Sequence, residues 1–180
     1  MSEPTYLPEG YVVVGDSNVS ARGSWGDLLR DSMPSLPFCL DAHSGRDALN
    51  YQLSPQFKPV KDYGSVIYSL GTADVILEVL ENWDLSGLED AYRNTFSDLV
   101  SRGYDLRVII PAGLPCPDFI DGSARMRTAC RNAAQAHLPA NRIFDFKDVW
   151  PWERNHDGLH LESSAHEDTI FPWVRDYVLA

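Results

Sequence analysis

The segment Tyr11-Val12-Val13-Val14-Gly15-Asp16-Ser17-Asn18 joins an apolar run to a short polar turn. The run Tyr11–Val14 is typical of a buried strand. Asp16 is expected to fix the following turn by accepting backbone N–H bonds. The hydroxyl of Ser17 is therefore predicted to lie at the carboxyl end of a strand. The plainer alternative is that Ser17 only caps the next helix.

Short apolar runs alternate with longer amphipathic segments along the chain. This rhythm predicts a parallel sheet with helical crossovers, and the 180 residues are enough for one compact domain over residues 1–180. In open sheets of this kind, functional sites collect outside the carboxyl ends of the strands. The predicted strands are Tyr11–Val14, Leu36–Leu40, Ser65–Leu70, Leu106–Ile110 and Arg142–Phe146.

The segments between these strands carry helical periodicity. Ser86 and Glu89 have the spacing of a capping box, and Gly103 is expected to end the helix that they start. Pro172 should kink or divide the last helix. The predicted helices are Arg22–Asp31, a turn after Asp74, Ser86–Arg102, Asp121–His137 and Glu162–Leu179.

A second polar motif, Asp157-Gly158-Leu159-His160, lies near the far end of the sequence. A serine hydroxyl is a weak nucleophile until a base takes its proton, and histidine suits this role near neutral pH. A carboxylate is then needed to hold the imidazole in the correct tautomer. The residues Ser17, Asp157 and His160 therefore form a candidate catalytic triad. The plainer alternative is that His160 only starts a helix.

These motifs resemble those of the SGNH hydrolases, the GDSL esterase/lipase superfamily. Its first motif reads Gly-Asp-Ser and its last reads Asp-x-x-His, and both match this chain. Its two middle motifs are a glycine after the second strand and Gly-x-Asn-Asp after the third. The corresponding segments are Ser44-Gly45-Arg46-Asp47 and Gly71-Thr72-Ala73-Asp74, the second of which lacks the asparagine. The resemblance implies a three-layer α/β/α domain with a five-stranded parallel sheet in flavodoxin-like order.

The resemblance also implies an oxyanion hole, in which the backbone N–H groups of Ser17 and Gly45 are two of the donors. The third donor would come from the missing asparagine, and Ala73 has no side-chain N–H to replace it. Three alternatives stay open: a slow esterase, an esterase that takes a replacement donor from Asn18 or Thr72, and a domain that keeps the fold without turnover. The alternative role of Asn18 is that of a helix cap.

Other residues near these motifs are candidates for substrate binding. Asp74 belongs to the third motif, and Arg46 either clamps an anionic group or is a solvated surface arginine. Trp150 and Trp152 are candidates for an aromatic platform, with packing against the last helix as the alternative. His156 lies four residues before His160, but Gly158 between them makes a helical metal site improbable.

The predicted function is hydrolysis of a carboxylic ester through an acyl-enzyme on Ser17, with no cofactor and no metal. A short acyl group such as acetyl, on a small molecule or a glycan, is the expected substrate. The alternatives are a non-catalytic glycan-binding or assembly module with the same fold, and an acyltransferase. The oligomeric state is not predicted.

The net charge of −11 argues against a nucleic-acid partner, which would need a dense basic face. No apolar run approaches the length of a membrane span, and the first residues do not resemble a signal peptide. The sequence therefore predicts no membrane partner, and a location in the cytoplasm or in a phage-type particle.

Overall fold

A computed structural model describes residues 10–51, 63–155, 157 and 159–180. Its centre is a parallel sheet of five strands in the order β2-β1-β3-β4-β5. This order confirms the flavodoxin-like arrangement. The strands are β1 (Gly10–Gly15), β2 (Phe38–Ala42), β3 (Tyr63–Ser69), β4 (Asp105–Ile110) and β5 (Ile143–Asp145).

The second strand starts later than the sequence predicts. The expected range was Leu36–Leu40, whereas β2 runs from Phe38 to Ala42. Pro37 has no N–H to donate to a neighbouring strand, so regular pairing begins at the residue after it. The carbonyl oxygen of Pro37 still accepts a bond of 2.9 Å from the N–H of Tyr11.

Helices follow β1, β3 and β4, whereas β2 leads into the loop that carries Gly45 and β5 leads into a 3₁₀ turn. The predicted helix Arg22–Asp31 is present from Trp25 to Ser32, an additional short helix precedes it at Ser17–Ser20, and the turn after Asp74 extends into a full helix that begins at Thr72. The longer helices are α1 (Ser17–Ser20), α2 (Trp25–Ser32), α3 (Thr72–Glu81), α4 (Leu88–Ser101) and α5 (Ile120–His137). Single 3₁₀ turns lie at Pro117–Phe119, Ala140–Arg142, Phe146–Asp148 and Trp152–Arg154.

The capping box predicted for α4 is wrong. The helix is preceded by Gly87, and no side chain caps it. Asp84 accepts bonds from both the N–H and the hydroxyl of Ser86, at 2.9 and 3.0 Å, so the serine is already engaged outside the helix. Glu89 instead pairs with Arg93 one turn later. The predicted stop at Gly103 is confirmed, because this residue adopts a φ of +86° just beyond the helix end.

The last helical segment runs from Ser163 to Val178 and is divided, as the presence of Pro172 predicts. Short α-helical turns, α6 (Ser163–Ala165) and α7 (Phe171–Trp173), alternate with π-helical turns at His166–Ile170 and Val174–Val178. Proline cannot donate the regular backbone bond of an α-helix. The interruption at α7 follows from that missing donor.

Two apolar cores lie on opposite faces of the sheet, because successive strand residues point to opposite sides. Val12 and Val14 belong to the core beneath α4 and α5, whereas Val13 belongs to the core beneath α2 and the last helical segment. Helices therefore cover both faces, and the predicted three-layer α/β/α architecture is confirmed. Within the described part of the chain, no helix combines the length and the apolar character that a membrane crossing needs.

Candidate active site

The nucleophile turn is fixed by its own backbone. The Asp16 carboxylate accepts a 3.0 Å bond from the N–H of Asn18, and the Asp16 carbonyl oxygen accepts bonds from Val19 and Ser20. This arrangement starts α1 directly at Ser17. Gly15 is required here, because a Cβ atom at this position would lie 2.2 Å from the Val19 side chain. The helix therefore folds tightly against the end of β1 and presents Ser17 at the carboxyl edge of the sheet.

The three residues of the candidate triad are connected by hydrogen bonds. The Ser17 Oγ lies 2.8 Å from the Nε2 of His160, and the His160 Nδ1 lies 2.6 Å from the Oδ2 of Asp157. A carboxylate only accepts hydrogen bonds, so the Nδ1 carries the proton and the Nε2 is left to accept from the serine hydroxyl. This is the tautomer that a general base for Ser17 needs.

Asp157 is held as a carboxylate. Burial opposes its charge, but the ring of His160 and the backbone N–H groups of His160 and Leu159 all donate to it, and together they lower the pKa of Asp157 well below its usual range. The donor distances from these two N–H groups to the Oδ1 are 2.6 and 2.8 Å. The side chains of His160 and Asp157 are 34% and 40% exposed, so this part of the site faces solvent.

A cavity of about 150 Å³ lies in front of Ser17. It brings together the loops that follow β1, β2 and β3 with the loop that carries His160, because all of them lie at the same edge of the sheet. Its floor includes Ala73, where the family motif would place asparagine, and Ile76 one turn further along α3. The lining residues are Asp16, Ser17, Asn18, Ser44, Gly45, Thr72, Ala73, Ile76, Leu159 and His160.

Gly45 lies at the exposed rim of this cavity. It has a φ of +74° within a tight turn that is closed by a 3.3 Å bond from the N–H of Arg46 to the carbonyl oxygen of His43. The N–H of His43 in turn donates to the carbonyl oxygen of Gly15, which links this turn to the nucleophile turn. A positive φ at the third residue of a turn favours glycine.

Asp74 does not line the cavity; it anchors the loop that carries Gly45. Its side chain is fully buried and accepts bonds of 2.7 and 2.9 Å from the backbone N–H groups of Ala48 and Leu49. Burial raises its pKa to about 6, and these two N–H groups lower it in part. The candidate role of Asp74 in substrate binding therefore gives way to a role in holding the loop.

Arg46 is also directed away from Ser17. Its guanidinium bonds the carbonyl oxygen and the carboxylate of Asp41, lies 4.7 Å above the ring of Tyr51, and leaves the side chain only 12% exposed. The expectation of a solvated surface arginine is wrong, because Asp41 and Tyr51 offer it a charge partner and an aromatic face. Neither Arg46 nor its partners line the cavity in front of Ser17.

The two candidates for a replacement oxyanion donor differ in what they already bind. Hydrogen bonding by the Thr72 side chain lowers the pKa of Asp16, and a hydroxyl used in this way has no second proton to give. Asn18 is not the helix cap, which is Asp16. Its Nδ2 donates to the carbonyl oxygen of Leu159 at 3.3 Å and has a second proton.

Asp16 is buried behind the nucleophile. Burial raises its pKa to about 6, while the Asn18 N–H, the Thr72 hydroxyl and the nearby His160 lower it. With a pKa of about 6, the Asp16 side chain can be either neutral or charged near that pH. Its carboxylate accepts from the N–H of Asn18 within the nucleophile turn.

Trp150 and Trp152 lie behind the nucleophile turn rather than on an open platform. Their ring centroids are 6.1 Å apart, and Trp150 also packs against Phe146 at 5.0 Å. Together with the loop after β4, they enclose a small pocket of about 20 Å³ that reaches Asp16 and Asn18. Packing against neighbouring side chains, the alternative to an aromatic platform, therefore accounts for most of the surface of the two tryptophans.

Sequence reasoning missed Ile76, Leu159 and Trp25 as lining residues. Ile76 follows Ala73 at helical spacing, so its place on the same face of α3 was available from the pattern. Leu159 lies within the Asp-x-x-His motif, and its carbonyl oxygen faces Asn18. Trp25 lies on α2 and lines the small pocket, a contact between distant segments that no local pattern indicates.

Over the described ranges, no group of three or more His, Cys, Asp or Glu side chains is placed to hold a metal ion. His156, the one residue that the sequence raised as a metal ligand, lies outside the described residues. The three cysteines are described, and each is unpaired.

No family model and no curated protein sequence matches the chain. Solved structures do match its fold. The acetyl xylan esterase AlAXEase superposes with a TM-score of 0.73 at 14% identity, over 93% of this chain and 99% of that one. Axe2, an acetylxylan esterase from Geobacillus stearothermophilus, has a TM-score of 0.69 at 12% identity, over 93% of each chain.

A lipolytic protein of the G-D-S-L family from Desulfitobacterium hafniense has a TM-score of 0.60 at 17% identity, over 94% of each chain. At these identities the likeness concerns the fold, and it agrees with the motif order along the sequence. The chain therefore has the α/β/α fold of the SGNH hydrolases.

Proposed function

We propose that this protein is a serine esterase that hydrolyses a carboxylic ester through an acyl-enzyme on Ser17. The observation that carries the proposal is the unbroken hydrogen-bonded chain from Ser17 through His160 to Asp157. A module that only binds glycans has no need of a serine, an imidazole and a carboxylate in this geometry. The fold shared with acetyl xylan esterases and a lipolytic protein agrees with this chemistry.

In the proposed reaction, the Ser17 Oγ attacks the ester carbonyl carbon while the Nε2 of His160 accepts its proton. Asp157 stabilises the imidazolium that forms. The tetrahedral intermediate then collapses, the alcohol leaves with the proton from His160, and the acyl group stays on Ser17. Water attacks the acyl-enzyme with His160 again as the base, which releases the acid and restores Ser17.

The developing oxyanion is assigned to the backbone N–H groups of Ser17 and Gly45 and to the side-chain amide of Asn18. Ser17, Gly45 and Asn18 all line the cavity in which the ester carbonyl would lie. Asn18 is preferred to Thr72, because the hydroxyl of Thr72 is engaged with Asp16. Donors fixed before the reaction stabilise the transition state without a cost of reorganisation.

The size of the cavity supports a short acyl group. A volume of about 150 Å³ is comparable to a cavity that holds one benzene molecule. Acetyl, propionyl or butyryl groups fit such a space, whereas an octanoyl chain does not. The half-exposed rim at His160 leaves room for a larger alcohol, and we assign this position to a carbohydrate by likeness to the acetyl xylan esterases.

Ala73 gives the main support for a second candidate, a glycan-binding module that keeps the fold without turnover. In that case the cavity would bind an acylated sugar without cleaving it. An acyltransferase is the third candidate, since a sugar hydroxyl can replace water in the second half of the reaction. Product analysis with and without an added sugar alcohol separates these outcomes.

The decisive experiment measures hydrolysis of p-nitrophenyl acetate, butyrate and octanoate by the wild type, Ser17→Ala and the matched control Ser20→Ala. We expect turnover of the short esters by the wild type and the control, and a loss of roughly 10⁴-fold or more in Ser17→Ala. A serine-directed phosphonate should label Ser17. Because the imidazole must be neutral to accept a proton, kcat/KM should rise with pH as the imidazolium form of the free enzyme is lost. Wild-type turnover in Ser17→Ala would disprove the proposal.

A further inference from the structure

Three buried polar atoms near the small pocket behind Ser17 have no hydrogen-bond partner among the described residues. They are the Oδ1 of Asn18 and the indole Nε1 atoms of Trp25 and Trp150. All three residues line the pocket, which also touches Asp16. Buried polar atoms are rarely left unpaired in folded proteins, so this cluster requires a common explanation.

We infer that this pocket is a binding site for one water molecule, which the Trp25 and Trp150 indoles and the Asn18 carbonyl oxygen hold and which orients the Asn18 side chain. The volume of about 20 Å³ exceeds the ~10–15 Å³ that one buried water needs and lies at the lower limit of the ~20–30 Å³ that two would need. Buried waters typically make about three hydrogen bonds.

The donors and acceptors match a water in number and kind. Each indole can only donate, so a water would accept one bond from Trp25 and one from Trp150. Its own protons would go to the Oδ1 of Asn18 and, on the other side of the pocket, toward the carboxylate of Asp16. An apolar group, such as the methyl of a bound acetyl, would fill the same space but leave all three polar atoms unpaired.

The bound water decides which way the Asn18 amide faces. The carbonyl oxygen of Leu159 accepts a hydrogen bond from the Nδ2 of Asn18. A carbonyl oxygen can only accept, so the amide must direct its NH₂ group, and not its oxygen, at Leu159. With the water on the Oδ1 side, each end of the Asn18 amide has a defined partner. A flipped amide would direct its NH₂ group at a water that already accepts hydrogen bonds from two indoles. The second Nδ2 proton is then free to point toward the cavity in front of Ser17.

The water site stands on geometry alone, whereas its effect on catalysis rests on the proposed function. If Asn18 is an oxyanion donor, the water is what holds that donor in place before the ester arrives. Trp25 and Trp150 are then positioning residues that act through the water and Asn18. Their loss should lower kcat and leave KM nearly unchanged, because an oxyanion bond strengthens only as charge develops.

The test combines crystallography with kinetics on the full chain. High-resolution crystal structures of the wild type, Trp150→Phe and Trp25→Phe should show whether a water lies in the pocket. Phenylalanine keeps an aromatic ring and removes the N–H. We expect the wild type to hold a water within about 3.2 Å of the Asn18 Oδ1 and of at least one indole nitrogen. Either variant should lose this water or show it displaced.

For kinetics, each variant should lose roughly 3- to 10-fold in kcat with p-nitrophenyl acetate, about the effect of loosening one donor without deleting it. Trp83→Phe, which removes an indole outside the pocket, is the control and should match the wild type. Thermal melts show whether each variant is folded. If Trp25→Phe does not fold, Trp150→Phe carries the test.

A dry pocket in the wild type, or an amide flipped so that Nδ2 faces the indoles, overturns the inference whatever the enzyme activity. A water that is present while both variants keep the wild-type kcat overturns the positioning role. If the protein has no esterase activity but binds the water as described, the water site stands and the proposed function fails.

Discussion

The pair of Asp157 and His160 on the acid–base side of the site is half exposed and locally built, whereas the oxyanion side depends on a buried anchor and on contacts between distant segments. Asp157 receives its backbone bonds from Leu159 and His160, two and three residues away. Asp74 binds the loop of Gly45 across 25 and 26 residues of sequence. The exposed side can therefore be altered at a cost in rate alone, while changes on the buried side also cost stability.

The largest expected effect is on the exposed side. Asp157→Asn should lower kcat by roughly 10⁴-fold, because an amide at this position favours the wrong imidazole tautomer. The free energy of unfolding should change by less than about 1 kcal/mol, since the side chain is 40% exposed. Ester hydrolysis and urea denaturation measure the two quantities. A variant that loses stability in parallel with rate would contradict the division between the two sides.

The next effect concerns the buried anchor. Asp74→Ala leaves the N–H groups of Ala48 and Leu49 without an acceptor. Each unpaired buried group costs about 1–3 kcal/mol, so the loss of both bonds should lower the free energy of unfolding by about 2–6 kcal/mol. Asp47→Ala, on the same loop and partly exposed, is the control and should cost less than about 1 kcal/mol. If Asp74→Ala does not fold, Asp74→Asn, which keeps one acceptor, should fall between the two.

The stability of the fold should depend on pH through Asp16, because burial raises the pKa of this side chain from 3.8 to about 6. The folded state holds the proton at a pH where the unfolded chain has released it. The resulting stabilisation is complete below about pH 3.8 and is lost as the pH rises through about 6. Asp16→Asn stays neutral and should gain up to about 3 kcal/mol relative to the wild type from pH 4 to 7, at about 1.4 kcal/mol per pKa unit.

Urea denaturation at pH 4, 5, 6 and 7 measures this difference. Asp74 has a similarly raised pKa, but it is present in both proteins and cancels in the comparison. Asp121→Asn, on the exposed first turn of α5, is the matched control. If the difference in the free energy of unfolding between the wild type and Asp16→Asn stays constant from pH 4 to 7, the pKa of Asp16 is not raised in the folded state.

A change in kcat of roughly 10²-fold should show whether the side chain of Asn18 is an oxyanion donor. Asn18→Ala removes the proposed side-chain donor and should lower kcat by about this factor with little change in KM. Ala73→Asn alone should do little in the wild type, since the hole is already complete. In the Asn18→Ala background, Ala73→Asn should restore part of kcat. If Ala73→Asn alone raises kcat by 10²-fold, the hole is incomplete and the Asn18 assignment fails.

The smallest effect should be on acyl length. Ile76→Ala lengthens the cavity at its floor, and the ratio of kcat/KM for butyrate over acetate should rise by about tenfold, the value of one or two added methylenes. Val79→Ala, an exposed change on the same helix, is the control and should leave the ratio unchanged. An unaltered ratio in Ile76→Ala would place the acyl group elsewhere.

Sequence reasoning predicted the positions of the strands and the two motifs of the candidate triad because each depends on a local pattern, whereas the strand order was predicted from the resemblance to the SGNH hydrolases. An apolar run ending in a polar turn marks a strand edge, and Asp157 is close enough in sequence to bond His160 directly. The anchoring role of Asp74 and the Asp41 partner of Arg46 could not be predicted, because each depends on which loop packs beside it. The capping of α4 failed for a related reason, since Ser86 found a nearer acceptor in Asp84.

The bond between the Ser17 Oγ and the Nε2 of His160 joins residues 143 positions apart. Loop closure over such a span is among the slower events in folding. Ser17 follows the first strand of the sheet along the chain, while its base follows the last strand. We therefore expect the nucleophile to stay inert on a growing or refolding chain until the last segment docks. Recovery of esterase activity would then report completion of folding rather than formation of the sheet.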